Sequence, residues 1–461
     1  MEIQLFDTLS GRKESLEKPL KTLRLFVCGP TVYDVSHIGH GRTYLVFDAL
    51  VKFLRAVGRP VFYLQNITDV DDKIIVRARK DGLTPKSISE KFFKEYKRDM
   101  KNLGIDSVSK YARATKFIPQ IVRQVKTLIR KGFAYEISGD GYYFDVSKFK
   151  DYGKLSRRTV AQAEDSVSRI DDGIKKRNRG DFALWKFSKP DEPKWKTSLG
   201  EGRPGWHIED TAISEHFFGP QYDLHGGGMD LKFPHHEAEI AQQEAASSKK
   251  PFVKIWLHTG ALTINGTKMS KSLGNFLTIQ DFLNNYPAEI LRLMVLSFHY
   301  RTPFDYSDEV ANENLKKWNG ILEFVAKLRV SRKTKQGSSG IIIHDLKERF
   351  LTPLFDDFNT SLALAELLKF ISEIQPRVWE LSKEEAKLVE GQVLDALKVL
   401  GFRVKLLKIP GKIVKLAKDR EKSRGSKQFA QSDDLRKRIN ALGYGLDDTP
   451  LGPFLWPKES T

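Results

Sequence analysis

Two short groups of residues in this chain are of types suited to handling a nucleoside triphosphate. The first is His37-Ile-Gly-His40, which follows the apolar run Leu23-Arg-Leu-Phe-Val-Cys-Gly29. The second is Lys268-Met-Ser-Lys-Ser272, more than two hundred residues later. Imidazoles beside a glycine-lined helix start can donate to phosphate oxygens, because the free N–H groups and the dipole there already favour an anion. Gly39 lets the backbone approach a ligand. Lys268 and Lys271 offer mobile ammonium groups that can follow charge onto a leaving pyrophosphate. His225-Gly-Gly-Gly-Met-Asp230 reads equally as a simple turn or as a flat glycine surface for an adenosine at Gly226 and Gly227, with Asp230 as an acceptor for ribose hydroxyls. No GxxxxGK[ST] loop occurs, which argues against a P-loop ATPase.

These groups need a scaffold, and the pattern around them supplies one. Residues 23–29 read as a buried strand, and the run from Arg42 as an amphipathic helix. Pro60–Thr68 reads as a second strand leading into another helix, so strand and helix alternate as in a parallel doubly wound sheet. Residues 116–204 mix a helix, a hairpin around Gly141-Tyr-Tyr-Phe-Asp145 and a charged, proline-bearing stretch, and read as an insertion. The sheet resumes near Gly205, with strands at Tyr222–Gly228 and Lys254–Gly260. Helical patterning dominates from about 309. A basic link near 403–427 precedes a last helix carrying Phe429, Leu435, Ile439 and Leu442 on one face. Lys333–Gly340 reads as a loop. The expected fold is α/β, a split Rossmann-like nucleotide-binding core with an insertion, then a helical bundle and a small basic C-terminal domain. The expected divisions are 1–115 and 205–262 for the two core halves, 116–204, 263–308, 309–402 and 403–461.

At 461 residues there is length for roughly three domains. No apolar run approaches the ~18 residues that span a membrane. The N-terminus lacks a signal-peptide pattern, so the cytoplasm is the expected compartment. Lys and Arg number 77 against 59 Asp and Glu, a formal charge of +18. That balance favours a polyanionic partner. Residues 401–461 hold 14 basic and 7 acidic side chains, so about +7 sits in the last stretch, which suggests tRNA. The single cysteine, Cys28, excludes an intrachain disulfide. It lies at the C-terminal end of the first core strand, where open α/β sheets bind ligands, so it is more than a core thiol.

The two signatures resemble the HIGH and KMSKS motifs of class I aminoacyl-tRNA synthetases. Further segments resemble the cysteinyl-tRNA synthetase family: Phe26-Val-Cys-Gly-Pro-Thr-Val-Tyr-Asp34, Asn66-Ile-Thr-Asp-Val-Asp-Asp-Lys73, Gly205-Trp-His-Ile-Glu209, Phe233-Pro-His-His-Glu237 and Leu291–Tyr300. The resemblance covers nearly the whole chain, in order. It implies ATP-dependent attachment of L-cysteine to tRNA(Cys) through a cysteinyl-adenylate, by an enzyme expected to be monomeric. His37, His40, Lys268 and Lys271 would be catalytic; Gly39, His225, Gly226, Gly227, Asp230 and Lys271 would bind ATP, with Mg²⁺. The carboxylate nucleophile is already ionised, so the demand is positioning and charge neutralisation rather than a general base. Cys28, Thr31, Thr68, Trp206 and His207 would line the amino-acid pocket.

The resemblance also implies one zinc ion per chain, held at Cys28, Asp210, His235 and Glu239. The family pattern expects cysteine where Asp210 stands. In one reading zinc binding survives, because aspartate and thiolate carry the same charge and zinc accepts carboxylate readily. In the other the metal is weak or lost and selection suffers. Zinc would matter because cysteine and serine differ by one atom and shape separates near-isosteres poorly. A ~10⁴-fold preference needs about 5.5 kcal/mol, which a soft metal's preference for sulfur can supply. Two rivals are a ligase joining cysteine to an amino sugar, as in mycothiol synthesis, and a non-catalytic tRNA-binding paralogue.

Overall fold

Five parallel strands carry the site. In the computed structural model, which describes residues 1–17, 22–158, 175–269, 275–332, 340 and 343–457, they lie in the order Val253–Thr259, Tyr222–Gly228, Leu23–Val27, Val61–Ile67, Lys110–Arg113. The chain first builds outward from Leu23–Val27 on one side, then returns to add Tyr222–Gly228 on the other. The strand order therefore reverses between Leu23–Val27 and Tyr222–Gly228, and a crevice opens beyond their C-terminal ends. Leu25, Phe26, Val27, Tyr63, Leu64 and Leu224 are fully buried, as expected of strands covered on both faces. Arg24 reaches across that switch point to Asp223, with Nε to Oδ2 at 3.0 Å and Nη2 to Oδ1 at 3.2 Å, and fixes the register of the two strands.

The helix following the first strand runs Ile38–Ala56, beginning four residues earlier than its apolar pattern indicates. The extra turn comes from capping: His37 is the N-cap and His40 closes a capping box. Helices Ile208–Phe218 and Glu237–Ser247 are each buried over most of their length. The region read as an insertion holds helix Ile118–Arg130 and an antiparallel five-stranded sheet, ordered Ala134–Ile137, Gly141–Phe144, Phe182–Phe187, Gly200–Pro204, Trp195–Thr197.

Two compact units divide the chain: Met1–Phe282 with Tyr300–Asp305 and Asp356–Phe358, and the remainder from Leu283. The second unit is mostly helical, with long helices Asp308–Ser331, Thr360–Ile374 and Lys383–Val399. Within it Trp318 stacks on Phe402, and Glu390 takes ion pairs from Arg329 and Arg332, both at 2.8 Å. The stretch read as a basic link contains a helix, Gly411–Gly425. It packs Ile413 and Ala417 against Ile439 and Leu446 of the last helix and the terminal hairpin, Tyr444–Thr449 with Gly452–Pro457. On that last helix Leu435 and Ile439 are buried, whereas Phe429 and Leu442, expected on the same face, are exposed. Lys333–Gln336 and the serines of the expected loop lie outside the described residues. No helix among the described residues is long and apolar enough to cross a membrane.

Candidate active site and metal centre

His37 and His40 are held by the helix they start. His37 Nδ1 accepts from the Gly39 amide at 3.1 Å, and the His37 amide donates to His40 Nδ1 at 3.5 Å. The two rings stack with centroids 3.9 Å apart. Using Nδ1 as the capping acceptor leaves each neutral ring with its proton on Nε2, a donor directed away from the helix it caps. Burial, aided by the Lys73 cation, lowers the His40 pKa to about 4, so that ring is neutral near pH 7.

The described residues that flank the lysine signature come to the same turn. Residues 270–274, Lys271 among them, lie outside the described residues, as does the side chain of Lys268; the Lys268 backbone sits in a hairpin opposite Thr263. Both flanks of the signature reach the histidine turn. Met269 Cε would lie 2.7 Å from a Cβ placed on Gly39. Downstream, His37 bridges to Thr278, the Ile38 amide donates to Leu277 O at 3.1 Å, and Phe276 packs edge-on against the His37 ring. Gly226 and Gly227 end the neighbouring strand, and a Cβ on Gly226 would fall 2.2 Å from the Phe47 ring of the first helix. This close packing of strand on helix is what requires glycine there. Asp230 is exposed just beyond.

Deeper in the crevice, the expected metal ligands converge. Cys28 Sγ lies 3.3 Å from Asp210 Oδ2 and 3.6 Å from Glu239 Oε1. His235 Nε2 is 2.9 Å from Asp210 Oδ2 and 3.1 Å from Glu239 Oε1. All four residues are buried. The helix Glu237–Ser247 supplies Glu239, and Ile208–Phe218 supplies Asp210. Gly29 holds the turn after Cys28 against the next strand: its amide donates to Asn66 Oδ1 at 2.6 Å, and a Cβ there would overlap the Asn66 carbonyl. Asn66 Nδ2 in turn donates to Asp210 Oδ1, so Asp210 presents only Oδ2 to the thiol.

Burial governs the electrostatics of this cluster. Burial, reinforced by Glu239 and Asp210, pushes the Cys28 thiol well above its ordinary range. Burial likewise drives Glu209 and Glu239 upward, with Asp210 adding to both. Glu239 Oε2 finds no hydrogen-bond partner among the described residues. Groups raised in this way keep their protons when no cation is present, and a cation bound among them would displace those protons. A thiol, an imidazole and two carboxylates suit zinc.

The expected pocket residues lie around the cluster. Thr31 bridges to Thr68, whose hydroxyl donates to Glu209 Oε1. Trp206, half exposed, stacks on His235 with centroids 4.3 Å apart, so it is no core tryptophan. His207 Nδ1 meets His235 Nδ1 at 2.7 Å, which orients the imidazole whose Nε2 faces the carboxylates. His225, expected at the nucleotide, lies instead with Nε2 3.4 Å from Cys28 Sγ and its ring stacked on Trp256. Residue reasoning passed over Asn66, Glu209 and His236, although all three lie inside segments already singled out.

Comparisons with known proteins show the family and the fold. The model of the tRNA synthetases class I (C) catalytic domain matches residues 16–316. The chain is 41% identical over 480 residues to the cysteine-tRNA ligase of Thermococcus gammatolerans, covering 99% of each. It is 43% identical over 446 residues to that of Thermoplasma volcanium, covering 96% of this chain and 97% of that one. Among solved structures it resembles Mycobacterium tuberculosis methionyl-tRNA synthetase in complex with methionyl-adenylate, with a TM-score of 0.60 at 17% identity over 83% of this chain and 90% of that one. That likeness is one of fold.

Proposed function

The chain belongs to the cysteine-tRNA ligases of the class I tRNA synthetases, and from that membership we propose how its own residues carry out the reaction. L-cysteine is joined to AMP from ATP and then passed to tRNA(Cys). The observation that carries this reading is one of place: a helix start capped by His37 and His40 and a buried thiol-imidazole-carboxylate cluster share the switch point of one sheet.

In this reading His37 and His40 donate from Nε2 to the triphosphate, held in position by their own capping bonds. Lys268 and Lys271 neutralise the leaving pyrophosphate, and the packing of Met269 and Phe276 around the histidine turn supports their delivery there. Gly226 and Gly227 give the adenosine a flat surface, Asp230 accepts from its ribose, and Mg²⁺ accompanies the nucleotide. Cys28, Asp210, His235 and Glu239 would hold zinc, which supplies a soft Lewis acid that prefers sulfur to oxygen. Thr31, Thr68, Trp206 and His207 border the amino acid. The basic C-terminal helices and hairpin serve tRNA.

Cysteine-dependent exchange of pyrophosphate into ATP, without tRNA, tests the activation half directly. Exchange with cysteine and none with alanine is the expected result; no exchange by folded, zinc-loaded protein would refute the assignment.

A further inference from the structure

One buried carboxylate beside the crevice has no part in the expected ligand set. Glu209 precedes Asp210 on the helix Ile208–Phe218 and is 1% exposed. Its Oε1 accepts from the Thr68 hydroxyl and lies 3.4 Å from Asn66 Nδ2, which also donates to Asp210 Oδ1. Its Oε2 has no hydrogen-bond partner among the described residues. Other carboxylates near the end of strand Val61–Ile67 are occupied. Asp69 takes Arg113 Nε and the Thr115 hydroxyl, both at 2.7 Å, and Asp71 caps the helix Asp72–Asp81. A carboxylate oxygen with neither water nor a partner is costly unless a positive group arrives to compensate it.

We propose that Glu209 is a positioning residue for the substrate's amino group: it holds the Thr68 hydroxyl as an acceptor, and the α-ammonium of cysteine donates to that oxygen. This rests on the ligase reading above. Thr68 is clamped by its backbone, whose amide donates to Pro30 O at 3.2 Å and whose carbonyl accepts from the Val32 amide at 3.1 Å. A carboxylate only accepts, so the Thr68 proton is turned to Glu209 and the lone pairs of the hydroxyl are left for a donor. Asn66 and Thr68 both meet Glu209 Oε1, so they face the same side, and Asn66 continues to Asp210 beside the Cys28 thiol. The threonine therefore adjoins the cluster that would receive the substrate's sulfur. A cysteine with its sulfur there and its carboxylate toward the histidine turn has one polar group left, the ammonium. Glu209 behind the threonine supplies the countercharge, which strengthens the hydroxyl as an acceptor for a cationic donor.

The test compares two ligands of full-length, zinc-loaded protein by calorimetry, without ATP or tRNA: L-cysteine, and 3-mercaptopropionate, which keeps the thiol and the carboxylate and lacks the amine. The unaltered chain should bind cysteine at least tenfold more tightly. Glu209→Gln removes the charge and puts in its place an amide that can donate to Thr68. It should weaken cysteine at least tenfold and 3-mercaptopropionate less than threefold; Thr68→Val should do the same, with little further loss in the double variant. Equal weakening of both ligands in Glu209→Gln would overturn the proposal, because a merely structural role does not tell them apart. Equal affinity of the unaltered chain for the two ligands would overturn it with no variant needed. Cysteine-dependent exchange of pyrophosphate into ATP is measured on the same unaltered protein. Its absence would overturn the ligase reading and the proposal with it, whereas exchange together with either preceding result would overturn the proposal alone.

Discussion

Asp210 concentrates the chemistry of this chain in one side chain. It contributes one carboxylate oxygen to the thiol-imidazole cluster while Asn66 occupies the other. In the proposed zinc site it would keep the charge of the cysteine that the resemblance expects there, through a harder donor. Asp210→Asn removes that charge and is expected to weaken zinc binding at least tenfold by competition with a chromophoric chelator; Asp210→Cys should bind at least as tightly as the natural chain. An unchanged affinity in Asp210→Asn would remove Asp210 from the ligand set. In the proposed role of the lysine signature, Lys271→Ala should slow adenylate formation at least tenfold and leave tRNA affinity within about threefold, because a donor acting mainly on the transition state changes rate more than binding. Equal activation rates would contradict that role. The convergence of Cys28, Asp210, His235 and Glu239 followed from resemblance, since they lie on separate elements and no local spacing links Cys28 to the rest. The position of His225 beside Cys28 could not be read from its glycine-rich neighbourhood, because a strand's alternation does not say which neighbour its side chain meets.

Element boundaries follow capping more than periodicity. The helix Ile38–Ala56 starts at His37 because the imidazole caps it, a role histidine's ordinary propensity does not announce. Four of the five parallel strands were legible, from largely apolar runs bounded by turn residues; the edge strand Lys110–Arg113, short and charged at both ends, was not. The helix Gly411–Gly425 was not. It buries few side chains, chiefly Ile413, Ala417 and Arg420, so a lysine-rich exterior masks its period. Arg420 and Arg424 both bind Asp448 on the terminal hairpin, with Arg420 Nη1 to Asp448 Oδ1 at 2.6 Å. The Arg420 hydrogen bond and charge lower the Asp448 pKa to about 2. A depressed carboxylate pKa stabilises the fold above the unfolded value near 4, and that contribution is lost as pH falls toward 2. Asp448 is 42% exposed, which limits the effect to about 1 kcal/mol. Asp448→Asn should therefore destabilise the terminal module by about that amount at pH 7 and by clearly less at pH 3, measured by urea unfolding.

At the scale of the molecule, activation and tRNA use should separate. The terminal helices and hairpin have a small core of their own, in Ile413, Ala417, Ile439 and Leu446, and Phe402 stacks instead on Trp318 of the preceding helices. Truncation after Leu407 keeps that stack. It is expected to abolish charging of tRNA while sparing cysteine-dependent exchange of pyrophosphate into ATP; loss of both in a folded protein would contradict a modular C-terminus. The split α/β core and the order of its parts were legible because strand and helix signals alternate clearly there. The antiparallel sheet of the insertion was legible only as one hairpin, since Phe182–Phe187 joins it across distant sequence and the local pair Trp195–Thr197 with Gly200–Pro204 is mostly polar. The central claim is that a soft-metal site beside a phosphate-binding helix start selects cysteine for attachment to tRNA. The most direct measurement is charging of tRNA(Cys) by zinc-loaded full-length protein, with labelled cysteine and labelled serine in parallel. Cysteine attachment with serine at background is predicted; serine attached at a comparable rate, or neither amino acid attached, would contradict the account.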